Sequence, residues 1–259
     1  MGDDRKKPVG GEEPARSYEA LDTLSIAALD VDARIFRTVW HTITRPVEVM
    51  WAGCKADYRV YLSPVRVFLA LFSLQVIVGS IVHYPTAPSL SALVEGMPPE
   101  QVTAWLDGRD PQAVNDDFAP YMAILMWPLM LVSSLPFLLA LKLMRWRLSI
   151  WAHVTAYLVS TNASTILQAV LMPLALINPV LVVAALPLAL IFFVVQITRL
   201  MARFYAKGVW DLAWKTGVIV LLLPVTILIM MVGAFSVASW LLHTFQGLSL
   251  FELYIPQTE

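Results

Sequence analysis

The chain has 259 residues, of which 58% are hydrophobic and 14% charged, with a mean hydropathy of +0.69. That mix excludes an ordinary water-soluble domain, because long stretches lack the polar face that a soluble helix needs. A net charge of −1, with basic residues in small groups beside apolar segments, excludes nucleic acid as a partner and points to the lipid bilayer.

Residues 1–17 are charged, rich in Gly and Pro, and lack an apolar h-region, so they read as a disordered cytoplasmic tail with no cleavable signal peptide. Residues 18–61 are too polar to span a membrane. Within them Phe36, Val39, Trp40 and Ile43 recur at helical spacing with Arg34, Arg37 and His41 between them, which predicts an amphipathic interfacial helix capped by Asp32. The Thr44-Arg45-Pro46 step ends it and opens a second short helix with Val47, Met50 and Trp51 apolar. The pair would form an elbow on the cytoplasmic leaflet, touching lipid through Arg34, Arg37, Trp40, Arg45, Trp51 and Lys55. It would either sense anionic lipid or act as a collar that positions the first span. The single cysteine, Cys54, excludes an internal disulfide and a multi-cysteine zinc site, and reads as a small apolar residue at the interface.

Apolar runs of the length a bilayer requires fall at 62–84, 119–143, 148–177, 179–201 and 216–245. The expected fold is therefore all-α, a polytopic bundle of about five transmembrane helices over 62–245. An outer loop occupies 85–118 and an external tail 246–259. Asn178-Pro179 is the only turn signal between the third and fourth spans, which predicts a tight helical hairpin there. In the outer loop, Pro98-Pro99-Glu100-Gln101-Val102 with Trp105 and Leu106 reads as a short helix, and the surplus acidic residues around it as solvated. Pro128, Pro136, Pro173, Pro187 and Pro224 are expected to kink their spans without breaking them. Lysine and arginine crowd the N-terminal segment and the turns at 142–147 and 199–215, whereas the outer loop carries Arg109 alone. By the positive-inside rule the N-terminus is cytoplasmic and the C-terminus external.

The third span is the most polar. On one helix His153, Tyr157, Ser160, Ser164 and Gln168 fall within about 80° of one another, with Thr161 beside them. This stripe is a candidate binding path, with His153 as its titratable member and Ser73, Gln75, Ser133, Ser134 and Gln196 as residues that could complete a pocket. The alternative is interhelical packing. Asn162 points away from the stripe and needs a partner on another helix. No Asp, Glu, Lys or Arg lies in the centre of a predicted span, which disfavours ion-coupled transport. No HExxH, Gly-rich phosphate loop or GxSxG is present, and no catalytic residue, cofactor or metal is expected. Gly233, Ser236 and Ser239 form a close-packing face in the last span.

The run from Thr38 to Pro64, with Arg45-Pro46, Gly53, Lys55, Tyr58, Tyr61 and Pro64, resembles a bacterial family of multispan membrane proteins with no established activity. His153 opening the third span, and Arg203-Phe204-Tyr205-Ala206-Lys207-Gly208 before the last, resemble further segments of that family. Val47 stands where the family has glycine, a second histidine is missing, and no zinc ribbon precedes the elbow. The family's helix arrangement is similar to that of the Yip proteins of membrane trafficking and shaping. The resemblance implies a bacterial inner-membrane protein. The expected function is that of a non-enzymatic scaffold, accessory subunit or membrane organiser that packs against another membrane protein or a second copy of itself. The alternatives are a facilitative transporter or channel for a small solute or lipid, lined by the third-span stripe, and a membrane enzyme.

Overall fold

The structure is a computed structural model that describes residues 33–81, 90–176, 179–250 and 252, and every element among them is helical. The expected disordered tail, the Asp32 cap, part of the outer loop, Asn178 of the hairpin and most of the external tail lie outside the described residues.

Among the described residues two short helices come first, α1 (Ala33–Thr44) and α2 (Pro46–Lys55), separated only by Arg45. Pro46 has no N–H to extend α1 but suits the first turn of α2, so the chain turns there. The two faces of α1 have different surroundings. Thr38 and Thr42 are each 1% exposed and face the bundle, while Phe36 and Trp40 are 64% exposed. Both threonine hydroxyls bond back to carbonyls four residues earlier, and Thr38 Oγ1 also accepts from Leu62 N at 2.9 Å, so a polar face is buried without unpaired hydroxyls. The elbow is clamped at its bend: Arg199 donates to the Ile43 and Thr44 carbonyls at 3.0 and 2.8 Å, and Gln196 donates to Ile43 at 3.0 Å. These are the orphan carbonyls at the C-terminus of α1, where a cation is also favoured by the helix dipole.

Helix α3 (Pro64–Ile81) follows, then the short α4 (Leu90–Leu93) and α5 (Pro99–Leu106). Helix α6 (Pro111–Ser133) begins at Pro111 instead of the expected 119. The start signal lies in Asp110-Pro111: the Asp110 carboxylate accepts from Gln112 N at 3.1 Å and proline fills the first helical position. Helix α7 (Leu135–Met144) continues after a break at Ser134. The expected single second span is also bent farther back, within α6, where the segments Pro111–Met126 and Pro128–Met144 are set 41° apart. Pro128 and Pro136 withdraw two backbone donors, and Ser133 and Ser134 add hydroxyl bonds to the Met130 and Leu131 carbonyls.

Helix α8 (Ile150–Leu171) is the axis of the bundle, buried without interruption from Thr155 to Ile166. Beyond Leu171 it tightens into a 3₁₀ turn, Met172–Leu176, where Pro173 cannot donate. Helix α9 (Pro179–Phe204) packs along α8, and α10 (Val209–Leu241) runs outside both before ending in a π turn, Leu242–Gln246. Helix α10 starts seven residues before the expected 216, which takes Lys215 into the helix and buries it. Its ammonium is satisfied by Asp211 and by the Tyr205 carbonyl, each at 2.9 Å.

Three segments, Ile150–Leu174, Pro187–Phe204 and Val209–Gln246, are long and apolar enough to cross a membrane, and the bent pair makes a fourth if it is one span. Pro64–Val78 is apolar but shorter. At the end remote from the elbow a second apolar core joins Leu90, Leu106, Phe118, Met122, Leu242 and Leu250. There the Trp105 indole donates to the Ser249 carbonyl at 2.8 Å, Arg109 reaches the Gln246 carbonyl, and Gln246 donates to Asp117 at 2.9 Å. The segment expected as an outer loop therefore carries two helices, contributes the start of α6, and shares a core with the C-terminal segment.

Candidate functional site

A cavity of about 410 Å³ lies between α3, the α6/α7 bend, α8, α9 and α10. Its walls are mainly apolar, including Phe68, Phe72, Phe137, Phe193 and three methionines, Met126, Met130 and Met230, whose unbranched side chains adapt to varied shapes. Into one side project Gln75, Tyr157, Thr161, Ser164, Thr165 and Gln168, faced by Thr226. Among the described residues no charged side chain lines it. The volume falls within the roughly 300–1,000 Å³ typical of small-molecule sites.

The polar groups differ in what they have left to offer. Gln75 Nε2 donates to Gln168 Oε1 at 2.9 Å, which leaves the pair one amide NH₂ and one carbonyl oxygen. Ser164 spends its hydrogen on the Ala189 carbonyl at 2.8 Å, and Thr226 spends its own on Leu222 at 3.0 Å. The Thr161 hydroxyl is buried and, among the described residues, makes no hydrogen bond of good geometry. A buried hydroxyl left unpaired costs about 1–3 kcal/mol, so this wall favours an occupant that can bond to it. Tyr157 is fixed between Phe137 and Phe193, with ring centroids 5.6 and 6.1 Å away.

The predicted stripe therefore divides. Tyr157, Thr161, Ser164 and Gln168 meet at the cavity, whereas His153 and Ser160 do not line it. His153 Nδ1 lies 2.7 Å from the Tyr205 hydroxyl, tying α8 to the end of α9, and Ser160 bonds back to the Ala156 carbonyl at 3.0 Å. Of the residues proposed to complete a pocket, only Gln75 lines it. Ser73 is exposed and bonded to Leu69, Ser133 and Ser134 bond to carbonyls at the break between α6 and α7, and Gln196 holds the elbow. Asn162 finds its partner on another helix, donating to the Pro64 carbonyl at 2.9 Å. Thr165 and Thr226 were not singled out from the sequence. The signal for Thr226 was a lone hydroxyl in an otherwise apolar run.

The residues expected at the interface lie on the elbow. Arg34 and Arg37 donate to the Tyr58 and Val60 carbonyls, both at 3.3 Å, and Arg45 pairs with Glu48 at 3.6 Å. Trp51 meets Phe204 edge-on at 5.2 Å, with Lys55 above its ring at 5.3 Å. Burial pushes the Cys54 thiol up, away from the reactive thiolate form.

His41 Nδ1 sits 2.6 Å from the Tyr61 hydroxyl, which in turn donates to Glu48 at 3.1 Å. Burial foremost, and then the Arg45 charge, hold His41 below its usual pKa, against the opposing pull of Glu48. A folded pKa below the unfolded one means that protonation costs the folded state. Elbow stability is thus complete above about pH 6.5 and declines as pH falls from there toward the lowered value. Limited proteolysis of the elbow at pH 7.5 and 5.5 should be faster at the lower pH, and His41→Gln should remove the difference.

Among the described residues no three His, Cys, Asp or Glu side chains come together as a metal-ligand set. Fold and site together describe a helical protein with several helices long and apolar enough to cross a membrane and a partly open, largely apolar cavity between its helices. Compared with known proteins, the chain matches no family model, no curated protein and no solved structure.

Proposed function

We propose that this protein binds a neutral amphiphile within the membrane, a lipid-like molecule with an apolar body and a hydroxyl or carbonyl head. The observation that carries the reading is the cavity itself, apolar for most of its surface, uncharged among the described residues, and polar along one wall with the buried Thr161 hydroxyl and a Gln75–Gln168 pair. Phenylalanine and methionine walls suit a hydrocarbon body, while a charged head would be desolvated there without a counter-ion. Helices α3 and α6, which contribute opposite walls, do not pack extensively against each other, which suits entry from the bilayer.

In this reading the chain crosses the membrane five times, with α3 as a short first span and the α6/α7 pair as a bent second. The elbow lies on the cytoplasmic face of a bacterial inner membrane. The exposed indoles of Trp40, Trp51, Trp146, Trp210 and Trp214 mark an interface at that end, and the lysines and arginines beside them support its cytoplasmic orientation. The short motifs shared with the multispan family contribute to the elbow and its docking, among them Gly53, Tyr61 and His153.

The test is mass spectrometry of lipids and small molecules that co-purify with the protein in native membrane nanodiscs. A neutral amphiphile retained at near-stoichiometric amount by the native protein, and lost by at least tenfold in Gln168→Leu, is the expected result. A cavity that returns only bulk bilayer lipid would sink the proposal. A second reading, a scaffold for another membrane protein, is favoured by α10, of whose most apolar window only 11% is buried, against 61% for α8. A stoichiometric protein partner in the same preparation would put that reading first.

A further inference from the structure

The two ends of the cavity differ, one aromatic and closed, the other polar, and its volume is limited. We infer that its occupant is a single-chain ester of a small polyol, a lipid of the monoacylglycerol type, lying with its head toward the end of the bundle remote from the elbow; this rests on the reading above that the cavity binds a neutral amphiphile.

Three rings close the end nearer the elbow. The Phe137 ring centre lies 5.4 Å from that of Phe193 and 5.6 Å from that of Tyr157, and Tyr157 and Phe193 are 6.1 Å apart. Beneath them the core continues without a gap through Leu141, Ile197, Leu200 and Tyr205, so a chain entering the cavity stops at this floor. Gln168 stands on α8 eleven residues beyond Tyr157, about 16 Å along the axis, and Gln75 meets it there from α3. A cavity of about 150 Å³ takes one benzene ring, so 410 Å³ takes roughly sixteen atoms of that size, enough for most of one acyl chain and too few for two.

The polar wall asks for a head that both gives and takes hydrogen bonds. Gln168 keeps its amide NH₂, Gln75 keeps its carbonyl oxygen, and Ser164, whose hydrogen goes to the Ala189 carbonyl, keeps an oxygen that accepts. Hydroxyl groups satisfy both kinds at once. Thr161 stands seven residues before Gln168, about 10 Å nearer the aromatic floor, and the glutamine side chain leans toward the helix N-terminus and shortens that gap. Its buried hydroxyl is free to donate to a carbonyl just below the head, where the ester of a monoacylglycerol falls. A phosphate or carboxylate head would meet no cation among the described lining residues.

The test is binding of radiolabelled 1-palmitoylglycerol to the full chain in phosphatidylcholine nanodiscs, corrected for empty nanodiscs, with unlabelled lipids as competitors. Unlabelled 1-palmitoylglycerol is expected to compete at least tenfold better than methyl palmitate, which lacks the hydroxyls, dipalmitoylglycerol, which has two chains, or palmitoyl lysophosphatidylcholine, which has a charged head. Gln168→Leu should bring 1-palmitoylglycerol down to the level of methyl palmitate without weakening methyl palmitate itself. Thr161→Val should weaken 1-palmitoylglycerol about fivefold and leave hexadecanol, which has no carbonyl, unchanged. Across monoacylglycerols from octanoyl to eicosanoyl, affinity should rise and then stop, and Phe193→Leu should move the limit to longer chains. Equal competition by dipalmitoylglycerol or by methyl palmitate overturns the inference, as does affinity that rises with chain length without a limit, and each of these leaves the neutral-amphiphile reading standing. Failure of every neutral lipid to displace the label overturns both.

Discussion

Gly53→Ala is expected to destabilise the protein by about 1–3 kcal/mol and to loosen the elbow, although alanine is the better helix former. A Cβ at Gly53 would lie 2.7 Å from Thr155 Cγ2 and 3.1 Å from Pro64 Cγ. Thr155 is fully buried on the axial helix and Pro64 opens the first apolar helix, so neither neighbour gives way cheaply. The Gly53 carbonyl also accepts from the Trp151 indole at 3.0 Å, so a displaced backbone would lose that bond as well. Thermal unfolding in detergent and proteolysis of the elbow measure the effect. Two comparisons isolate the cause. Gly217→Ala, with nothing within 4 Å of its added Cβ, should be neutral or stabilising by roughly 0.5–1 kcal/mol. Thr155→Ser removes the clashing methyl and should recover most of the loss when combined with Gly53→Ala. If it recovers none, steric conflict is not the reason for glycine at this position.

The second large effect concerns the cavity. Thr226→Phe places a ring in the space opposite Gln75 and Gln168 while leaving their hydrogen bond intact. Retention of the co-purifying amphiphile should fall at least tenfold, and the unfolding temperature should hold or rise as empty volume is filled. Gln168→Leu tests the polar wall and Thr226→Phe the space. Loss in both variants marks one binding site, whereas full retention in Thr226→Phe would locate the molecule elsewhere on the protein.

The helical class and most helix positions were legible in the sequence because twenty-residue apolar runs and prolines leave few alternatives in lipid. Helix ends were less legible where a local cap outweighed hydropathy. Asp110-Pro111 starts α6 in polar sequence, and the Lys215–Asp211 pair allows α10 to begin before its apolar run. What the sequence did not show is how the elbow docks. Hydrophobic periodicity groups Phe36 and Trp40 on one face, but only the folded chain reveals that the opposite, threonine face meets the bundle.

The stripe on α8 was visible as a pattern, yet its meaning depends on neighbours. A helix buried on every side has no single interior face, so His153 and Ser160 could serve packing while Tyr157, Thr161, Ser164 and Gln168 turned to the cavity. Gln75 meets Gln168 across 93 positions of sequence, and periodicity within one helix carries no information about such a meeting.

The clamp on the elbow bears on the order in which the protein is made. Arg199 holds carbonyls 156 and 155 positions earlier, so the elbow helices leave the ribosome well before their anchor is synthesised. Until then the polar threonine face of α1 and the carbonyls at its end have only water or lipid headgroups for partners. In that interval its exposed aromatic residues, Phe36, Trp40 and Trp51 among them, favour an apolar surface over water and leave the elbow prone to association until its anchor is made.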